Sequence, residues 1–150
     1  MIRYTKLQFG WVIVIIFISA IVFMTLAWLY QWGNNPLDKN NYIFFMILFS
    51  GVLLNFYCIT VSVDEKHIIL KFGIGLFRKI IDLHSIKSAE IITYPVYHGY
   101  GIRIIPNGIM YNVSGNHAIE LKFTNKRSVI RIGTSDCEKL KAAIESSLKA

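Results

Sequence analysis

The chain has 150 residues, 54% of them hydrophobic, a formal net charge of +7 and a mean hydropathy of +0.47. That length allows one domain, or one domain with an appendage, and a hydropathy this high excludes an ordinary soluble globule. The charge is unevenly spread: residues 9–30 and 40–63 contain no charged side chain, whereas residues 64–150 carry 13 Lys and Arg against 8 Asp and Glu.

The first apolar run, FGWVIVIIFISAIVFMTLAWLY, covers residues 9–30. An uncharged run of about 18 or more residues reaches across a hydrocarbon core of roughly 30 Å, so this stretch is read as a transmembrane helix. It exceeds the apolar core of a secretory signal, about 7–15 residues, and ends in no small-x-small cleavage site, so it reads as a retained anchor. Residues 31–41 form a turn by composition, with Gly33, Asn34, Asn35, Pro36 and Asp38. Residues 42–59 read as a second, shorter span that carries Asn55 and the Ser50-Gly51 pair. Trp28, Tyr30, Trp32 and Tyr42 gather at the connector end, and Tyr4, Trp11 and Tyr57 at the other, as interfacial aromatics do.

Arg3 and Lys6 precede the first span, and Lys66, Lys71, Arg78 and Lys79 follow the second. The connector has only Lys39, next to Asp38. The distribution predicts both termini on the cytoplasmic side of a multi-pass protein. Neither span contains Asp, Glu, Lys, Arg or His, which favours an anchor over an ion or proton path. Asn55 is read as helix–helix glue or as an interfacial residue. Two spans line a pore only as an oligomer, so a homo-oligomer stays open.

From residue 60 the pattern alternates. Ile68, Leu70 and Phe72 fall on one face of a strand, as do Ile119, Leu121 and Phe123, and Ile130 and Ile132. This period of two is that of half-buried antiparallel strands. Turn residues separate the runs at Asp64-Glu65, Gly73-Ile74-Gly75, His84-Ser85, His98-Gly99, Asn107-Gly108, Ser114-Gly115-Asn116 and Asn125-Lys126. Asn107-Gly108 is a strong hairpin signal. Seven or eight strands are expected. A terminal helix follows, opened by a capping box from Ser135 to Glu138. Cys137, Leu140, Ile144 and Leu148 form its apolar face, and Glu138, Lys139, Lys141, Glu145 and Lys149 its wet one.

The segments 67–73, 99–103 (GYGIR), 111–115 (YNVSG), 118–121 (AIEL) and 131–134 (RIGT), with the order of strands then helix, resemble bacterial pleckstrin-homology-like domains of small membrane proteins. The resemblance covers residues 60–150. It implies an α+β, mainly β, fold: about seven antiparallel strands in a small barrel capped by the terminal helix. The expected division is a two-helix transmembrane hairpin over residues 1–59 and a pleckstrin-homology-like domain over 60–150. The family implies no catalytic residues.

Lys71 and the pair Arg78-Lys79 flank the turn at residues 72–77. They are either a solvated basic face or a site for a phosphate or an anionic membrane surface, as in phosphoinositide-binding relatives of the fold. Arg103 either binds an anion near Tyr100 or Tyr111, or bridges strands to an acid such as Glu120. His67, His84, His98 and His117 lack metal-ligand spacing. Cys58 and Cys137 read as small buried hydrophobes, with lipidation of a juxtamembrane Cys58 as the alternative. No paired carboxylates, nucleophile elbow or phosphate loop is present in the sequence, so no enzyme and no cofactor is expected.

The expected function is a membrane-anchored binding or scaffold module in the bacterial cytoplasmic membrane. Its partner is a protein or an anionic phospholipid rather than nucleic acid, because the lipid surface is the nearer anion. The alternative is an accessory or immunity-type subunit that assembles into a larger membrane complex through its helices.

Overall fold

The computed structural model describes residues 3–94 and 100–148. The first sheet contains β1 (Tyr4–Phe9), β2 (Cys58–Val63), β3 (His67–Phe72) and β4 (Phe77–Asp82), in that spatial order and all antiparallel. Two helices, α1 (Trp11–Leu29) and α2 (Lys39–Phe56), are inserted between β1 and β2. A single 3-10 turn, Leu83–Ser85, leads into the second sheet. That sheet comprises β5 (Ile86–Thr93), β6 (Gly101–Ile105), β7 (Gly108–Asn112), β8 (His117–Phe123) and β9 (Val129–Gly133), ordered β5-β8-β9-β7-β6. The chain closes with α3 (Cys137–Leu148).

Alternation makes these strands half-buried. Val61, Val63, Ile68, Leu70 and Phe72 of the first sheet meet Tyr111, Ile119, Leu121 and Ile132 of the second in one core, which Leu140 and Ile144 of α3 complete. Fully burying one such side chain stabilises by about 1.5–3 kcal/mol, so the inward rows outweigh any surface pairing. The Pro106-Asn107 link joins β6 to β7 as a two-residue hairpin, with Ile105 opposite Gly108.

The expected two-span hairpin followed by a closed barrel is not what forms. The chain has three helices among the described residues, and of these only α1 is long and apolar enough to cross a membrane. The run at residues 42–59 fails as one span because it is two elements. α2 opens with Lys39, Asn40 and Asn41 and stops at Phe56, while Cys58–Val63 is a strand. The first run is split too, since Phe9 ends β1. The sheets of four and five strands do not close into a barrel: β4 and β6 are outer strands with nothing paired beyond them among the described residues. Nor is every strand antiparallel, because β7 and β9 run parallel.

α1 and α2 do lie antiparallel. Trp28 stacks on Tyr42 at 4.7 Å, and Phe17 meets Phe49 edge-on at 5.9 Å. Asp38 starts α2 as an N-cap, its carboxylate accepting from the N–H groups of Asn40 and Asn41. The capping box expected for α3 is absent, and the helix begins later. Asp136 supplies the first accepting carbonyl, to Leu140 N–H, and Ser135 lends its N–H to Gln8 Oε1 at 3.2 Å. The expected turn at His98-Gly99 and the outward Lys149 lie outside the described residues.

Candidate functional site

The region where the helices leave the sheet is built from very few connecting residues. Gly10 alone separates β1 from α1, and Tyr57 alone separates α2 from β2. The Gly10 N–H donates to the Tyr57 carbonyl at 2.8 Å, tying the two crossings together. Phe9 packs against Trp11 at 4.5 Å and Tyr57 at 5.9 Å. Ile13, 8% exposed, joins the β core, so the first turn of α1 belongs to the body.

The β3–β4 turn docks on the end of α2. The Ile74 N–H donates to the Leu54 carbonyl at 3.2 Å, one of the carbonyls a helix C-terminus leaves open. Gly73 makes the approach possible: its φ is +45°, and a Cβ there would sit 2.1 Å from the Leu54 carbonyl oxygen. Phe56 then packs between Phe72 at 5.7 Å and Phe77 at 5.5 Å. Beside this joint Ile74, Leu76 and Phe77 are exposed. The large side chains of α1 and α2 are exposed or half-buried, except that Ile13 of α1 is buried. α1 is about 28 Å long at the usual helical rise.

Charge is polarised along the first sheet. In the half next to the helices the cations are Lys6, Lys71, Arg78 and Lys79, without an acid. The acids Asp64, Glu65 and Asp82 sit at the far end, together with Arg3 and Lys66. Leu7, Thr60, Lys71 and Arg78 form one cross-strand row and share the outer face. This row is two residues along β2 from Cys58, about 7 Å from the sheet end. The sequence therefore paired Lys71 with Arg78 correctly. Lys79 belongs to the next row, with Lys6, Val61 and Leu70, and faces the other way at the sheet edge.

Arg103 is not part of this group. It lies on exposed β6, its Nε directed at the Tyr100 carbonyl at 3.5 Å. Its expected partner Glu120 instead accepts from Arg131 Nε at 2.8 Å. Glu90, directly opposite Glu120, is held by Lys122 at 2.7 Å, which lowers the Glu90 pKa and raises that of Lys122. Ile102 and Ile104 are exposed, Ile104 by 92%, because no strand of the first sheet covers β6.

Several polar residues have local roles. Asn55 bonds within its own helix, Nδ2 to the Gly51 carbonyl at 2.8 Å, rather than across to α1. Cys58 is 2% exposed inside β2, which denies its thiol the access that lipidation requires. Cys137 points its thiol at the Thr134 carbonyl, and burial pushes its pKa up. His67 sits 3.7 Å from Asp64, and His117 Nδ1 is 3.1 Å from Thr93 Oγ1. His84 is exposed, and His98 lies outside the described residues. Among the described residues no three His, Cys, Asp or Glu side chains group as a metal site. Burial raises the Tyr94 pKa to about 12.

Two features escaped the sequence reading. One is β1, a strand hidden in what reads as a basic flank. Its buried Gln8 donates from Nε2 to the Gly133 carbonyl at 2.8 Å. The other is a cleft of about 530 Å³ along the open edge of β4, between it and β7, β8 and β9. It adjoins a smaller one of about 190 Å³ that reaches Ile102 of β6, with Lys79 and Tyr111 lining both. The chain matches no protein-family model, no curated protein and no solved structure.

Proposed function

We propose that this chain is a membrane-anchored, non-catalytic binding module. α1 anchors the chain in the bacterial cytoplasmic membrane, and the β body lies on its cytoplasmic surface, the Lys71–Arg78 row against anionic headgroups. The observation that carries the reading is the joint between sheet and helix. α1 is apolar on all sides and buries only Ile13, unlike the core helix of a soluble protein. A cleavable leader is disfavoured as well, because cutting there would remove β1, its six register pairs with β2 and the buried Gln8 contacts.

The charge polarity supports the same placement. The half of the sheet that meets the helices carries cations without acids, whereas the far end mixes Arg3 and Lys66 with three acids, a bias that suits a surface facing an anionic leaflet. β1 and β2 share one sheet, so the residues before α1 and after α2 lie on one side. The exposed Ile74, Leu76 and Phe77 suit the interface beside them. The resemblance to pleckstrin-homology-like domains favours binding over catalysis, with a lipid headgroup or a protein as partner.

The test uses the full chain in lipid nanodiscs, compared by hydrogen exchange in zwitterionic and partly anionic lipid. Amides of residues 71–79 should exchange more slowly with anionic lipid, and the Lys71→Glu/Arg78→Glu variant should lose that difference. Identical exchange in both lipids would remove headgroup binding from the proposal. Release of the chain from native membranes by alkaline carbonate would remove the anchor.

A further inference from the structure

From the cleft between the two sheets we infer a second binding site, independent of the membrane reading: the free edge of β4 accepts an extended acidic segment of a partner protein as an added strand. β4 is the last strand of its sheet and exposes its side chains at Phe77, Arg78, Lys79 and Ile80. Across the gap β6 is likewise an outer strand, with Ile102 and Ile104 exposed. An unpaired strand edge offers a row of N–H and C=O groups that a further strand satisfies. Here the edge adjoins a cleft of about 530 Å³ rather than flat solvent.

The lining specifies the occupant. Ile81, Ile109, Tyr111, Val129 and Ile130 give the cleft apolar walls. Lys79 and Lys126 supply cations, with Arg78 at the adjoining end, and none of the three has an ion pair among the described residues. The one acid, Asp82, already accepts from the His84 N–H at 2.9 Å. An extended segment points alternate side chains to opposite faces. One that alternates apolar and acidic residues would set the first against the walls and the second on the solvent side of the edge, beside Arg78 and within reach of the long, exposed lysine side chains. A second copy of β4 fits poorly, since Arg78 and Lys79 would meet their own kind across the pair.

The experiment titrates the full chain in nanodiscs of neutral lipid with a fluorescent peptide alternating valine and glutamate. A valine–lysine peptide and a backbone N-methylated valine–glutamate peptide serve as comparisons. The acidic peptide should bind and slow exchange at β4 amides. N-methylation should abolish binding. Lys79→Glu with Lys126→Glu should weaken the acidic peptide by about tenfold or more and favour the lysine one. Both lysines are exposed, so the double variant keeps its fold. As a second, unmutated readout, 0.5 M salt should weaken binding of the acidic peptide to the wild type. Failure of the acidic peptide to bind, equal binding of both charges, indifference to N-methylation, or protection of β4 by self-association without peptide would each overturn the inference.

Discussion

The two outer strands of the first sheet have opposite surroundings. β1 is covered: Gln8 reaches the β9–α3 junction, and Arg3 Nη1 donates to the Ser146 carbonyl of α3 at 3.1 Å. β4 is open, with Ile80 50% exposed beside the cleft. A strand edge is a liability unless covered, charged or used. The chain covers one edge with its last helix and leaves the other basic and accessible. Stability should therefore depend heavily on β1 and lightly on β4.

The largest effect should come from removing β1 altogether. A chain beginning at Thr60 would bare the edge of β2, a strand whose Val61 and Val63 are fully buried, and should fail to fold. Joining Gly10 directly to Tyr57 keeps β1 and closes a two-residue hairpin. That variant should give a folded β body that no longer sediments with membranes. Circular dichroism and membrane fractionation would check both, and a well-folded chain starting at Thr60 would break the comparison.

Gly73→Ala comes next, because it tests the one tight contact on the β4 side. Its Cβ would press on the α2 backbone, so a loss of roughly 2–4 kcal/mol is expected in detergent unfolding. Gln8→Ala should cost about 1–3 kcal/mol by orphaning the Gly133 carbonyl and the Ser135 N–H. Between the edges, the β2–β3 turn provides a pH-dependent case. The N–H groups of Lys66 and His67 hold the Asp64 carboxyl below the usual carboxylate range. With the folded pKa lower than the unfolded value of about 4, its contribution is present above that pH and fades as pH falls through the folded value. Asp64→Ala should thus destabilise by about 1 kcal/mol at neutral pH and less at strongly acid pH, read from urea midpoints. Ile80→Thr on the open edge should change stability by no more than about 0.5 kcal/mol. A larger loss would mean that β4 is covered in the folded chain.

What was legible in the sequence follows the same division. The alternation of Ile68, Leu70 and Phe72, or of Ile119 and Leu121, is a local signal, and those side chains are buried as read. Pairing of Lys71 with Arg78 followed from a short turn, which fixes register within a few residues. The covered edge was illegible because its causes are distant. Nothing near Tyr4–Phe9 announces that residues from 58 onward will pair with it, and Arg3 and Lys6 pointed to a flank. The apolar run at 42–59 misled for a different reason. Hydropathy alone does not distinguish a helix end from a buried strand, and Cys58–Val63 is apolar because it is central in a sheet. Arg103 depended on register in a second sheet, where Arg131 lay closer to Glu120.

The insertion of two helices between neighbouring strands also sets an order of events during synthesis. Phe9 leaves the ribosome early, yet its partner Cys58 appears only after both helices are made. The first strand must wait, and the last contacts it needs, on α3, arrive at the very end of translation. Closing contacts so distant in sequence is slow. On the anchored reading, α1 enters the bilayer before the sheet that holds it can assemble. A ribosome-bound chain stalled before residue 137 should then be membrane-attached, with its first strand still open to protease.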